Sequence, residues 1–380
     1  MKKIILHEPY FFGNEIKHLK KCIETKWVST GGEYVSKFER EIEKFTKAKF
    51  AVAVNSGTSA LDLSLKLLNI ELGDEVIVPS ITFIAPINCV LYQNAKPIFM
   101  DCDEDFNIDI KKTIKFIENK TTFKNGYTIN KKTKRKIKAI IVVHVFGNLA
   151  DTIRIKKLCK QRNIKILEDA SESLGSFYEN KVHSGLIGDL GCLSFNANKI
   201  ITTGAGGMII TNNNKYALKA KYLSTQAKND PFYFVHNDIG YNTRLNNLSA
   251  AVGLGQIKNI KKIFRKKKKI HAQYKKKFLK LKNFKLILNR SQTKVNYWLN
   301  IILFSKKINR KKLINELKEN QIETRPIWFA NHLQLKMKKF QKFEINKSTR
   351  LINKAICLPS GYNIDEKKIQ KIIRVLKKFE

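Results

Sequence analysis

From Phe50 onward, short apolar runs alternate with longer stretches whose apolar positions recur at helical spacing. FAVAVN, Phe50 to Asn55, is apolar almost throughout and predicts a buried strand. In the SGTSALDLSLKLL that follows, Leu61, Leu65 and Leu68 fall on one helical face. The same beat returns along the chain. DEVIVPS leads to a helix near Phe83 to Tyr92, KPIFMD ends at Asp101, and KAIIVVHVFG is a further strand. IRIKKLCKQRN is a helix that brings the chain back to IKILEDA, and strands follow at GCLSF and GGMIIT. Strand and helix in alternation predict an α/β fold, a mostly parallel sheet sandwiched by helices. Right-handed crossovers then place the functional loops at the carboxyl ends of the strands.

Two regions break the rhythm. NKTTFKNGYTINKKTKRK, Asn119 to Lys136, is polar and basic, and reads as a surface excursion with a hairpin turning at Asn125-Gly126. From about Gln256 a long basic helix begins, with Ile260, Ile263, Phe264, Ile270 and Tyr274 as its apolar seam. Its lysine run reads as a solvated face, the alternative being a border with a partner subunit. VNYWLNIILF is the clearest strand beyond it, and INRKKLINELKEN and DEKKIQKIIRVLKKF are helices. This pattern predicts a large domain over 1–255 and a smaller C-terminal α+β domain over 256–380.

Composition adds limits. The 380 residues are 43% hydrophobic, ample for a sizeable core, and carry a formal charge of +41. The lysines are scattered from end to end, so no single basic stripe marks a nucleic-acid surface and no nucleic-acid partner is expected. The positive field would instead draw in an anionic small molecule such as a nucleotide sugar. Six isolated cysteines, without a CxxC pair or histidine at metal spacing, are expected to be reduced thiols with no metal. The apolar run in MKKIILHEPY is too short for a signal peptide, and no other run reaches spanning length. A cytoplasmic protein without membrane insertion is expected.

Three candidate elements lie at the predicted carboxyl ends of strands. In NSGTSA, the amides of Gly57, Thr58 and Ser59 point out of a helix N-terminus, a site for phosphate. An ordinary N-cap by Ser56 or Thr58 explains the same residues. In ILEDASESLGS, Glu168 and Asp169 end an apolar strand, where a carboxylate is costly unless it meets a cation. A protonated pyridine nitrogen is such a cation and marks pyridoxal phosphate enzymes; a salt bridge to a surface lysine is the alternative. TTGAGG lacks the first-strand placement and downstream acid of a dinucleotide fingerprint. Lys199 lies thirty residues after Asp169, with Ser194 five residues before it, between an apolar strand and the small residues Thr202 to Gly207. A lysine that forms an imine must be a neutral amine, which asks for desolvation or a neighbouring cation. In so lysine-rich a chain, chance placement also accounts for it.

The ordered set WVSTGGEYVSKFE, AVAVNSGTSAL, GDEVIVPSITFIAPINCV, VFGN, EDASESLGS, GDLGCLSFNANKIITTGAGG, GYNTRLNNLSAAVG and TRPIW spans nearly the whole chain. It resembles the DegT/DnrJ/EryC1/StrS sugar aminotransferases, within the fold type I pyridoxal phosphate enzymes. The resemblance implies that Lys199 forms the imine with pyridoxal 5'-phosphate and moves the proton between substrate and cofactor carbons. It implies that Asp169 keeps the pyridine nitrogen protonated and that Glu172, where many members have Gln, stands beside the cofactor hydroxyl. Phe83 would stack on the ring, Gly57, Thr58 and Ser194 would bind the phosphate, and Asn242 would reach it from the other subunit. A homodimer with shared active sites follows. Members that act as dehydratases have histidine where this chain has Lys199, so transamination from glutamate to a keto group on a nucleotide-linked sugar is the implied reaction.

Within the family, NKKTKRKIKA, ESLGSFYENKVHSG and the NKIITTG run with its following GGM resemble the legionaminic acid branch. That branch aminates C4 of a UDP-linked, in some organisms GDP-linked, 2-acetamido-4-keto-6-deoxy sugar for bacterial surface glycan and nonulosonic acid synthesis. Ala197 and Ala205 replace its usual glycines, which is tolerable if neither position needs a positive φ. His144, Arg325 and Trp328 are expected substrate-side contacts, Trp328 alternatively being core of the small domain. The alternatives are the same chemistry on a 3-keto or perosamine-type sugar, or a basic nucleic-acid-binding regulatory protein with this fold.

Overall fold

The computed structural model of the chain describes residues 3–179, 181–290 and 292–380. The main sheet has eight strands: β1 (Phe50–Val54), β2 (Glu75–Pro79), β3 (Lys96–Met100), β4 (Ile137–Val143), β5 (Lys165–Asp169), β6 (Leu190–Ser194), β7 (Gly207–Thr211) and β8 (Lys342–Phe343). Their order is β1-β7-β6-β5-β4-β2-β3-β8. β7 runs antiparallel to both β1 and β6, and the remaining neighbours pair in parallel. In β2, β3 and β4 the apolar runs are unbroken because each face of this part of the sheet has its own core. Val76, Val78, Phe99, Ile141 and Val143 join one core, while Ile77, Ile98, Met100, Ile140 and Val142 join the other.

The helix Gly57–Leu67 starts at an N-cap, Ser56, whose hydroxyl accepts from the Ser59 amide. Asp109 and Asn246 cap Ile110–Lys120 and Asn247–Ile257 in the same way. The excursion after Asn119 is a hairpin, with Thr121–Lys124 antiparallel to Tyr127–Asn130. Its turn puts Asn125 at φ 50° and Gly126 at φ 76°, a primed turn that suits these two residues. The hairpin is more than surface decoration: Thr128 and Asn130 are buried, and the Asn130 side chain donates to Glu75 Oε2 at 2.7 Å and Gln341 Oε1 at 2.8 Å.

A second, four-stranded antiparallel sheet joins Phe284–Leu286, Asn300–Phe304, Ala355–Leu358 and Arg325–Pro326 in that order. The helices Ile260–Phe278, Arg310–Glu319 and Glu366–Leu376 pack around it through Ile270, Tyr274, Leu313 and Ile369. All of the expected seam of the long helix is buried except Phe264, which is half-buried. Lys267 is a departure from the solvated charge run. It is 1% exposed, and its ammonium donates to the carbonyls of Trp298 at 2.9 Å and Ser360 at 2.7 Å. Burial holds its pKa well below that of an ordinary lysine. The small edge strand β8 beside β3 was not foreseen, because two residues leave no periodic signal. The six cysteines are buried free thiols. Among the described residues, no helix is long and apolar enough to cross a membrane.

Candidate active site

The loops after β1, β2, β5 and β6 converge with the start of β7 on one cavity of about 270 Å³. Gly57 and Thr58 line it at the N-terminus of their helix, beside the hydroxyls of Ser171 and Ser194. A Cβ on Gly57 would come within 2.8 Å of Ser194 Cβ, so glycine is what lets the helix start pack this close to Ser194. Ser59 is not part of the wall, since its amide is taken by Ser56 Oγ at 3.0 Å and its hydroxyl donates to Asn55 Oδ1. The Ser56 cap is therefore formed, while Gly57 and Thr58 are left to line the cavity.

Phe83 turns an aromatic face, 56% exposed, onto the cavity. Asp169 ends β5 at the same cavity, is 5% exposed, and has Oδ1 held by the Ser171 amide at 3.0 Å. Lys199 comes from the loop after β6, with Nζ 3.4 Å from Glu172 Oε1 and 4.3 Å from the centroid of the Trp298 ring. Glu172 Oε2 accepts from the Phe146 amide at 2.8 Å. Burial pushes the Glu172 carboxyl up to about 7, against the opposing pull of Lys199.

That shift carries a stability consequence. As pH rises from 4.5 to about 7, the unfolded chain loses the Glu172 proton while the folded chain keeps it. The unfolded state then binds fewer protons, so this group lowers folding stability as pH rises through the window. Glu172→Gln is expected to reduce the loss between pH 5 and pH 8 by about 1–3 kcal/mol, measured by urea unfolding of the cofactor-free protein. An unchanged pH slope would show that Glu172 is ionised throughout.

Other expected residues are placed elsewhere. His144 is fully buried, with Nδ1 accepting from the Ala150 amide at 3.2 Å and Nε2 on Glu168 Oε2 at 2.9 Å. Both ring nitrogens are committed to the scaffold and the ring is not in the cavity wall, which leaves no substrate contact to it. Glu168 also takes the amides of Ile187 and Gly188, so of the two adjacent carboxylates only Asp169 faces the cavity. Arg325 is exposed, paired with Glu323 at 3.3 Å, and outside the wall. Asn242 is exposed and outside its own chain's cavity. Trp328 does line the cavity while stacking on Phe146, with centroids 4.5 Å apart and planes at 14°. The core it packs against is that of the main sheet and not that of the small domain. Ala197 and Ala205 keep φ outside the left-handed region, whereas the retained Gly204 has φ 81°, which explains why two glycines can be spared and the third cannot.

The wall residues Ser171, Asn198 and Trp298 were not foreseen. Ser171 lies inside the EDASES motif and was within reach of the sequence; Trp298 precedes a strand about a hundred residues from Lys199 and carries no local signal.

An anion cradle, an aromatic wall, a buried carboxylate and an amine facing one small cavity fit pyridoxal phosphate. Together with the mixed sheet and its reversed strand, they define a fold type I transferase of that cofactor class. Residues 11–377 match the DegT/DnrJ/EryC1/StrS aminotransferase family, and the chain belongs to it. The aminotransferases of this family depend on pyridoxal phosphate. The chain is 33% identical over 382 residues to the GDP-perosamine synthase of Escherichia coli O157:H7, covering 100% of this chain and 99% of that protein. It is 33% identical over 277 residues to the UDP-4-amino-4,6-dideoxy-N-acetyl-beta-L-altrosamine transaminase of Campylobacter jejuni, covering 72% and 69%. The solved structure of Helicobacter pylori PseC, an aminotransferase of pseudoaminic acid biosynthesis, superposes with TM-score 0.87 at 27% identity, covering 100% and 99%.

Proposed function

We propose that this protein is a pyridoxal-phosphate-dependent aminotransferase that moves the amino group of glutamate to the C4 keto group of a nucleotide-linked 2-acetamido-4-keto-6-deoxy sugar. The observation that carries the reading is Lys199 Nζ set against Glu172 Oε1 in the cavity that Asp169 also faces, in a chain of this family. Pyridoxal phosphate, when bound, supplies the electron sink that makes a proton beside the transferred nitrogen removable. Gly57, Thr58, Ser171 and Ser194 would hold its phosphate, Phe83 would cover its ring, and Asp169 would hold the proton on its nitrogen. Lys199 then carries a proton at Nζ, and Glu172 Oε1 can accept one from it because that carboxyl is poised near neutrality. The net positive charge favours arrival of the anionic donor and nucleotide.

A C4 amine is favoured by relatives whose names include GDP-perosamine synthase and a UDP-4-amino sugar transaminase. The sequence runs that resemble the legionaminic acid branch favour UDP and a role in surface glycan synthesis. Full-length coverage by the perosamine relative favours the second reading, the same chemistry on a GDP-linked 4-keto sugar without the acetamido group. We further propose a homodimer. The segment around Phe232, Tyr233 and Phe234 projects three aromatic side chains, 78%, 75% and 69% exposed, and Asn242 lies on the same stretch of chain outside its own cavity. Purified enzyme, glutamate and either the UDP-linked acetamido sugar or the GDP-linked sugar, followed by NMR of the product, tests the reading. A new amine at C4 on the UDP substrate is expected. Turnover of the GDP substrate alone selects the second reading, and an amine at C3 overturns both.

A further inference from the structure

The wall behind Lys199 comes from a distant part of the chain. Trp298 stands just before the strand Asn300–Phe304, is 3% exposed, and has each of its polar groups engaged. Its indole N–H donates to the Asn198 carbonyl at 2.7 Å, the carbonyl of the residue next to Lys199. Its amide donates to Asn296 Oδ1 at 2.9 Å, and its own carbonyl accepts from the buried Lys267 ammonium at 2.9 Å. The ring cannot swing away without breaking its bond to Asn198, while the other two contacts pin the backbone that carries it. Asn296, two residues earlier, donates Nδ2 to the Glu172 carbonyl at 2.7 Å and the Leu174 carbonyl at 3.0 Å. One short segment thus holds the backbone beside both members of the Lys199–Glu172 pair.

The two contacts at Nζ differ in quality. A charge-assisted N–H to carboxylate bond sits at about 2.7–2.9 Å, so 3.4 Å to Glu172 is a loose hold. A cation is attracted to an indole face out to about 6 Å, so 4.3 Å is a close one. We propose that Trp298 is a positioning residue for Lys199: its indole face is where the ammonium rests whenever Nζ is not bonded to the cofactor, with Nζ kept within reach of Glu172. Its hydrogen bond to Asn198 fixes the loop that carries the lysine, so loop and side-chain tip are held by the same ring. The inference rests on Lys199 being the lysine that attaches the cofactor.

The test uses the full chain stripped of cofactor, with Trp298→Leu and Trp298→Phe. Pyridoxal phosphate is added, attachment to Lys199 is trapped by borohydride at timed intervals, and the modified residue is mapped by mass spectrometry. Affinity for pyridoxamine phosphate, which needs no bond to Lys199, is measured in parallel. Trp298→Leu, which frees the lysine's loop from the indole N–H and removes the wall behind Nζ, is expected to slow attachment about tenfold or more, as misplacement of a reacting group does. Trp298→Phe, which keeps a ring behind Nζ and loses the N–H to the loop, should slow it about two- to fourfold. Pyridoxamine phosphate affinity should stay within about twofold of the wild type. Wild-type attachment rates in both variants, or a parallel fall of rate and affinity as from a merely structural role, overturn the proposal. If Trp298→Leu does not fold, Trp298→Phe decides by the same criteria. Absence of any Lys199 adduct in the wild type overturns the reading of the site itself, and is thereby distinct from a failure of Trp298 alone.

Discussion

Lys199→Ala is expected to abolish amino transfer, lowering the single-turnover rate with glutamate at least about 10⁴-fold. The lysine stands against Glu172 with its ammonium on Trp298, and among the described residues the remaining wall of the cavity has no second amine. On the proposed role of Lys199 the variant would lose both the group that attaches the cofactor and the group that moves the proton, which is why its expected effect exceeds that of any other single substitution. Gly57, Thr58 and Ser194, proposed to take the phosphate, keep their places in the cavity wall when the lysine side chain is deleted, so pyridoxamine phosphate should bind nearly as well as to the wild type. Stopped-flow absorbance with glutamate and equilibrium dialysis with pyridoxamine phosphate separate the two effects. A residual rate within about 100-fold of the wild type would remove Lys199 from the chemistry.

Asp169→Ala should have the next largest effect, a loss of about 10²–10³-fold in the same half-reaction. The carboxylate is almost wholly buried, held by the Ser171 amide, and placed at the end of β5 between β4 and β6. A buried negative charge facing a ligand cavity is costly until a cation arrives, so its value is realised when the cofactor nitrogen carries a proton. Asp169→Asn keeps the shape and loses the charge. It is therefore expected to be as slow as Asp169→Ala while melting closer to the wild type. If Asp169→Asn retains near-normal rates, the charge is not what the cofactor needs.

The sequence by itself determined the α/β alternation, because strands that are buried on both faces must be written as unbroken apolar runs such as FAVAV and IIVV. It also determined the hairpin turn at Asn125-Gly126 and the cap at Ser56, since local backbone geometry restricts which residues serve there. The lysine, the carboxylate and the glycine of the cavity wall were legible because each sits at the carboxyl end of a predicted strand. Tertiary structure decided the rest. Lys267 falls on the apolar side of its helix inside a run of lysines, and only the carbonyls of Trp298 and Ser360, brought from elsewhere in the chain, make its burial possible. His144 reads as a candidate contact until Glu168 and the Ala150 amide take both its nitrogens. Trp298 reads as part of the strand VNYWLNIILF, whereas the strand begins at Asn300 and the fold sets the Trp298 face over Lys199. Contacts of this kind join residues far apart in the chain, and no local period or propensity encodes them. Spacing along a chain specifies which face of an element a residue occupies, while the side chain that meets it there depends on which elements pack together.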